Sequence, residues 1–140
     1  MVCSNHQRLS LSSLLTRQDK ATVFETIMKD VIKLSMQKHS SNVVQMMFTY
    51  GDVAQRHQLV EEILNASYES KNAVLSMATD AYANYVMKTA MDVLEECPLK
   101  ERLFSVLISN IEDLEQCQFA KKIVLMVKAY TNQEESGHEE

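Results

Sequence analysis

Apolar positions recur with a helical period along most of this chain, and in several windows they are too many for one buried stripe. Between residues 20 and 36, Val23, Ile27, Val31 and Leu34 form one stripe, and Phe24, Met28 and Ile32 form a second beside it. Two adjacent stripes predict a helix packed between neighbours on more than one side. In "HSSNVVQMMFTYGD", Val43, Val44, Met47 and Phe48 make an apolar face. Gly51 is placed to end that helix in the left-handed conformation, and Asp52 with Gln55 three residues on predicts a capping box opening a helix over 53–65. "NASYESKN" reads as a polar loop and "AVLSMA" as a short apolar turn of helix. Asp80 caps "AYANYVMKTAMDVLEE", Pro98 sits at the first position of "PLKERLFSVLISNI", and "CQFAKKIVLMVKAY" is a last helix. The expectation is an all-α chain of about seven short helices without strands, in which Val43, Val44, Met47, Val86, Met87 and Met91 are core.

Composition supports the class. With two Gly, one Pro and a 46% hydrophobic fraction in 140 residues, the chain has few turn formers and enough apolar side chains for a core. No run of apolar residues approaches the length of a membrane span, and "MVCSNHQRLSLSSLLTRQ" lacks the apolar centre of a signal peptide, so a soluble, cytoplasmic chain with no membrane association is expected. Residues 1–18 are Ser-rich and aperiodic, and 131–140 are acidic and nearly free of apolar side chains; both ends are expected to be loose. Cys3, Cys97 and Cys117 are far apart in sequence, and His6, His39, His57 and His138 never fall at the spacing of a helical metal pair. No metal site or cofactor is therefore expected from spacing. The sequence also lacks a phosphate loop, a zincin motif and a nucleophile elbow, so it reads as a non-enzyme.

The chain also matches itself. "SSNVVQMMFTYGDVAQRHQLVEEIL" aligns with "YANYVMKTAMDVLEECPLKERLFSVLI", and "QFAKKIVLMVKAY" is a reduced third copy, at offsets of 43 residues (Ser41 to Asn84) and 37 residues (Asn84 to Lys121). Periods of this size mark helical repeat arrays, which stack because no unit buries its apolar face alone. In both full copies an uncharged or singly charged polar set falls at i, i+1 and i+4: Ser41, Asn42, Gln45, then Asn84, Tyr85, Lys88. Positions i and i+4 lie one turn apart on one helix face and can meet the edge of a flat molecule, while i+1 projects to the side. A nucleobase has such an edge, and a Tyr ring can stack on its face.

These two motifs and the trailing short copy resemble the last two full repeats and the C-terminal cap of Pumilio-family (PUF) RNA-binding domains, over residues 20–130. The resemblance implies a right-handed α-solenoid, here a partial array: a partial repeat at 19–36, full repeats at 37–75 and 76–113, and a cap at 114–130. It implies binding of single-stranded RNA, one base per repeat, in mRNA 3′ untranslated regions, with a role in post-transcriptional regulation. Ser41 and Gln45 would meet one base edge, in a pairing that resembles an adenine reader, with Asn42 stacking. Asn84 and Lys88 would meet another, with Tyr85 stacking; Asn with Gln resembles a uracil reader, and Lys88 departs from it by donating only. Lys38, His39, Lys121 and Lys122 are candidate contacts to the RNA backbone. The net charge of −5 opposes phosphate binding in general, yet windows 36–51, 81–91 and 116–130 hold five lysines and none of the 19 acidic residues. A competing reading is a helical-repeat protein-interaction scaffold, or a PUF homologue that has lost RNA binding. An array this short leaves its N-terminal repeat face uncovered, available to a protein partner or to self-association.

Overall fold

The computed structural model describes residues 17–138. The loose N-terminal segment expected at 1–18 lies almost wholly outside that range, as do the last two residues of the acidic tail. Among the described residues the chain forms nine α-helices: α1 Arg17–Lys29, α2 Val31–Ser35, α3 Ser40–Tyr50, α4 Val53–Asn65, α5 Ala73–Ala78, α6 Ala83–Val93, α7 Pro98–Ser109, α8 Ile111–Glu115 and α9 Lys121–His138. A single 3-10 turn, Gln118–Ala120, leads into α9.

The order short, long, long recurs. Units α2–α3–α4 and α5–α6–α7 are followed by α8–α9, so each repeat starts at its short helix, while the frame 37–75 and 76–113 starts at or near the helix carrying the polar set. In the packing, α3 lies against α6 and α6 against α9, giving one row, while α4 lies against α7 in a second row. Short helices α2 and α5 touch each other and wedge between the rows. This is the two-layered stack of an α-solenoid, and its core is continuous from Phe24 through Phe48, Ile63, Met77, Met91, Leu103 and Ile123 to Val127. Repeat-equivalent positions are buried alike: Val44 and Phe48 in α3, Met87 and Met91 in α6, Val124 in α9. No helix among the described residues is long and apolar enough to cross a membrane.

Local chemistry explains the boundaries. The Asp52 side chain accepts from the Gln55 backbone N–H at 2.8 Å and the Gln55 side chain accepts from the Asp52 N–H at 3.0 Å, so the expected capping box opens α4. Pro98 stands at the start of α7, where its missing N–H costs nothing. Asp80 accepts from the backbone of Tyr82 and Ala83 at 2.8 Å each and holds the entry to α6.

Four expectations are corrected. The helix expected over 20–36 is two, because Asp30 leaves helical geometry (φ −126°, ψ 28°) and redirects the chain so that Val31 and Ser35 can be buried. Gly51 is extended (φ −72°) and not left-handed; it is needed because a Cβ there would meet the Met47 carbonyl oxygen at 2.4 Å. The polar loop before α5 contains a two-residue antiparallel ladder, β1 Ser67–Tyr68 with β2 Lys71–Asn72, where no strand was expected. Val43 is exposed rather than core, for a reason that belongs to the candidate site. In addition, α9 continues to His138, so helical backbone persists beyond Thr131, where the polar composition had suggested a tail.

Candidate nucleic-acid interface

Helices α3 and α6 carry the two polar sets side by side, because the same apolar residues that pair the helices hold their i and i+4 positions in register. Asn42 and Tyr85 are exposed, and Gln45 and Lys88 are half-buried. The two sets touch: the Thr89 hydroxyl, 2.9 Å from its own helix's Tyr85 carbonyl, also reaches Gln45 Oε1 at 3.3 Å across the helix pair. Gln45 Nε2 lies 3.5 Å from Asn42 Oδ1. The amide of Gln45 is therefore oriented by one neighbour from each repeat.

The i positions behave differently from the surface readers that the spacing suggested. Ser41 and Asn84 are each 3% exposed. Ser41 Oγ donates to the Lys38 carbonyl at 3.2 Å, and Asn84 Nδ2 donates to the carbonyls of Asp80 at 2.6 Å and Ala81 at 2.9 Å. Both side chains thus hold the turn that leads into their own helix. Among the described residues no buried side-chain nitrogen or oxygen lacks a partner. The remaining polar atom of that side chain is Asn84 Oδ1. It is an acceptor, one turn from the donor Lys88.

Lys88 Nζ sits over the Tyr85 ring, 4.2 Å from its centroid, and Tyr85 is 53% exposed. Burial, and second the charge of Lys122 on α9, lowers the Lys88 pKa below the ordinary lysine value. Lys88 and Lys122 therefore concentrate positive charge where α6 meets α9, a location that an anion would relieve. Lys38, His39, Lys121 and Lys122 are all exposed, at the entries to α3 and α9. Lys128, the fifth lysine of the acid-free windows, instead faces Glu115 at 3.8 Å. Leu125, which occupies on α9 the place of Gln45 and Lys88, is 67% exposed and its side chain offers no hydrogen bond, so the third copy lacks a polar residue at that place.

At the other end of the row, Val43 is 46% exposed while its repeat equivalent Val86 is fully buried. Val86 has α3 packed beside α6; α3 presents Val43, Met46 and Tyr50 as an apolar edge of the same kind, exposed. Periodicity alone assigns Val43 to the core because it reports the pattern within one helix and not which helix lies beside it.

Sequence spacing also misses one constellation. His57 on α4 comes together with Glu95 and Cys97 of the α6–α7 linker, about 40 residues away, with Nε2 2.7 Å from Glu95 Oε1 and 4.0 Å from Cys97 Sγ. No local motif announces it; stacking of α4 on α7 creates it.

Comparison with known proteins gives a consistent result. The family described as "Pumilio-family RNA binding repeat" matches residues 30–64 and 73–108, close to the two structural units. A Pumilio domain-containing protein of Schizosaccharomyces pombe is 25% identical over 120 residues, covering 86% of this chain and 16% of that protein. The mRNA-binding protein PUF3 of Saccharomyces cerevisiae is 29% identical over 82 residues, covering 54% of this chain and 9% of its own length. The chain thus spans a small fraction of both relatives. Among solved structures, PUF-8 in complex with PBE-RNA superposes with a TM-score of 0.74 at 22% identity, over 83% of this chain and 33% of that one, a likeness of fold.

Proposed function

Because the chain belongs to the Pumilio family of RNA-binding repeat proteins, we propose that the α3–α6–α9 row binds single-stranded RNA and reads one base with each of its two complete polar sets. The observation that carries this reading is the register of the two sets: Asn42 with Gln45, and Tyr85 with Lys88, share one face and are joined by the Thr89 to Gln45 contact. At α6, the exposed Tyr85 ring stacks a base, Lys88 donates to a base carbonyl, and Asn84 Oδ1 accepts from an imino N–H. Uracil supplies both groups in adjacent positions. At α3, Gln45 both donates and accepts, which suits adenine, and Asn42 lies against the base face. Ser41 holds the helix start and contributes its oxygen at the floor of that site. Lys38, His39, Lys121 and Lys122 meet phosphates along the path.

In this reading the chain acts without a catalytic step, on mRNA 3′ untranslated regions in the cytoplasm, and represses or redirects translation. The edge formed by Val43, Met46 and Tyr50 takes a further helix, from a protein partner or a second copy, because the equivalent face of α6 is covered in just this way. That added helix extends the RNA path.

The test is anisotropy titration of a labelled RNA containing 5′-UA. Gln45→Ala combined with Tyr85→Ala should abolish binding while the helical circular dichroism spectrum is retained, since both side chains lie on the surface row. Undiminished binding by that variant would assign the RNA to another face.

A further inference from the structure

We propose that His57, Glu95 and Cys97 form a binding site for a borderline transition-metal ion of the zinc class, which clips one repeat to the next. His57 projects from α4 of the first unit, while Glu95 and Cys97 come from the linker between α6 and α7 of the second. The linker begins and ends on extended residues, Leu94 with φ −65° and ψ 129° and Cys97 with φ −164° and ψ 164°, with a bend at 96–97. Glu95 and Cys97 both reach the His57 ring, while Glu96 between them turns to another partner. Glu96 is taken by Lys100 at 3.1 Å, leaving Glu95 to the imidazole.

The three ligand atoms lie within 4.8 Å of one another. In a tetrahedral zinc site with bonds of about 2.0–2.3 Å, ligand atoms sit roughly 3.3–3.7 Å apart. The His57 to Glu95 separation of 2.7 Å must widen slightly and the His57 to Cys97 separation of 4.0 Å must shrink slightly. Each adjustment is below about 1 Å, within the reach of side-chain torsions. A nitrogen, a sulfur and a carboxylate oxygen form a donor set that suits zinc or cobalt and disfavours magnesium and calcium, which take oxygen ligands. The His57 and Glu95 side chains are 34% and 49% exposed, so an ion has direct access and water can complete a fourth position. Cys97 begins α7 without using its side chain as a cap, so binding costs that helix no hydrogen bond. On binding, the thiol proton leaves to solvent and the imidazole coordinates through Nε2 as the neutral ring. The ion then ties α4 to the start of α7 at the junction where repeats must keep their stacking angle.

Cobalt(II) titration of the chelator-treated, reduced chain tests the proposal. One equivalent should bind with a thiolate-to-cobalt charge-transfer band in the near ultraviolet, and zinc should displace it. Cys97→Ser should remove the band. His57→Ala and Glu95→Gln should each weaken binding by more than about tenfold, since even an outer-shell partner is worth about 10–100-fold. The helical circular dichroism of each variant shows that it is folded, and the equivalent variant at Cys117, whose thiol lies against the Thr79 carbonyl instead, should bind as the parent does. Absence of a thiolate band in the parent chain, or a band that survives Cys97→Ser, would overturn the assignment.

Discussion

Gln45 and Lys88 occupy the same place in successive repeats but differ in hydrogen-bonding capacity, and in the proposed reading that difference sets the expected specificity. Gln45 carries a donor and an acceptor, held by Asn42 and Thr89. Gln45→Glu replaces the donor with a second acceptor, so the preference at that base should move from adenine towards guanine, whose imino and amino hydrogens a carboxylate accepts. Competition among RNAs differing at that one base measures it; an unchanged order would remove Gln45 from the reading set. Lys88 is subject to a pH linkage. Its pKa is depressed, first by burial and then by Lys122, so the unfolded chain holds more protons at this residue between that lowered value and the ordinary lysine value near ~10.4. Stability contributed through Lys88 therefore rises with pH across that alkaline interval. Lys88→Gln should lose this rise, as read by urea midpoints at a series of pH values, and should also lower the salt dependence of RNA binding.

At the scale of single elements, the turn joining β1 and β2 shows a conflict between local preference and fold. Tyr68 pairs with Lys71, leaving Glu69 and Ser70 as a two-residue loop with φ of 50° and 68°. Positive φ at both central residues is the demand of a type I′ turn, which Asn-Gly meets best and Glu-Ser meets poorly. A non-glycine residue in the left-handed region costs roughly 1–2 kcal/mol. Ser70→Gly should recover part of that, raising stability by up to ~1 kcal/mol in chemical denaturation; no change would mean the turn already relaxes without cost. The strain persists because the loop delivers Asn72, whose side chain accepts from the Val74 N–H at 2.8 Å and starts α5, the short helix wedged between the rows.

For the whole molecule, the proposed reading makes the number of complete polar sets the limit on affinity. Two sets lie on the α3–α6–α9 row, and α9 adds lysines and an exposed Leu125 in place of a third reader. Stacking contributes roughly 1–3 kcal/mol per base, and ordering a flexible strand takes back much of the gain. A net ~4–6 kcal/mol remains, a dissociation constant on the order of 0.1–1 mM for this chain as a monomer. Titration of a UA-containing RNA at a protein concentration verified as monomeric by sedimentation checks it. Nanomolar affinity under those conditions would mean that residues beyond the two sets carry the binding. A chain that tightens its binding on association through the Val43, Met46 and Tyr50 edge would accord with extension of the row.

Periodicity, caps and the internal offsets are sufficient to read the helical class, the repeat and the two polar sets, because each is a local relation between residues a few positions apart. The Asp52 and Gln55 box and the Pro98 start are legible for that reason. Four features depend on what lies beside a residue in space, and only the tertiary structure decided them. Val43 and Val86 share a pattern and differ in burial because, among the described residues, α6 has α3 against that face and α3 has no helix there. Ser41 and Asn84 turn inward because carbonyls of the turns just before their own helices, Lys38, Asp80 and Ala81, compete for the donors that spacing assigned to a base. Glu69 and Ser70 accept positive φ because the ladder on either side fixes the turn. His57, Glu95 and Cys97 become one cluster because stacking of α4 on α7 closes a gap of about 40 residues, a distance over which sequence spacing carries no geometry.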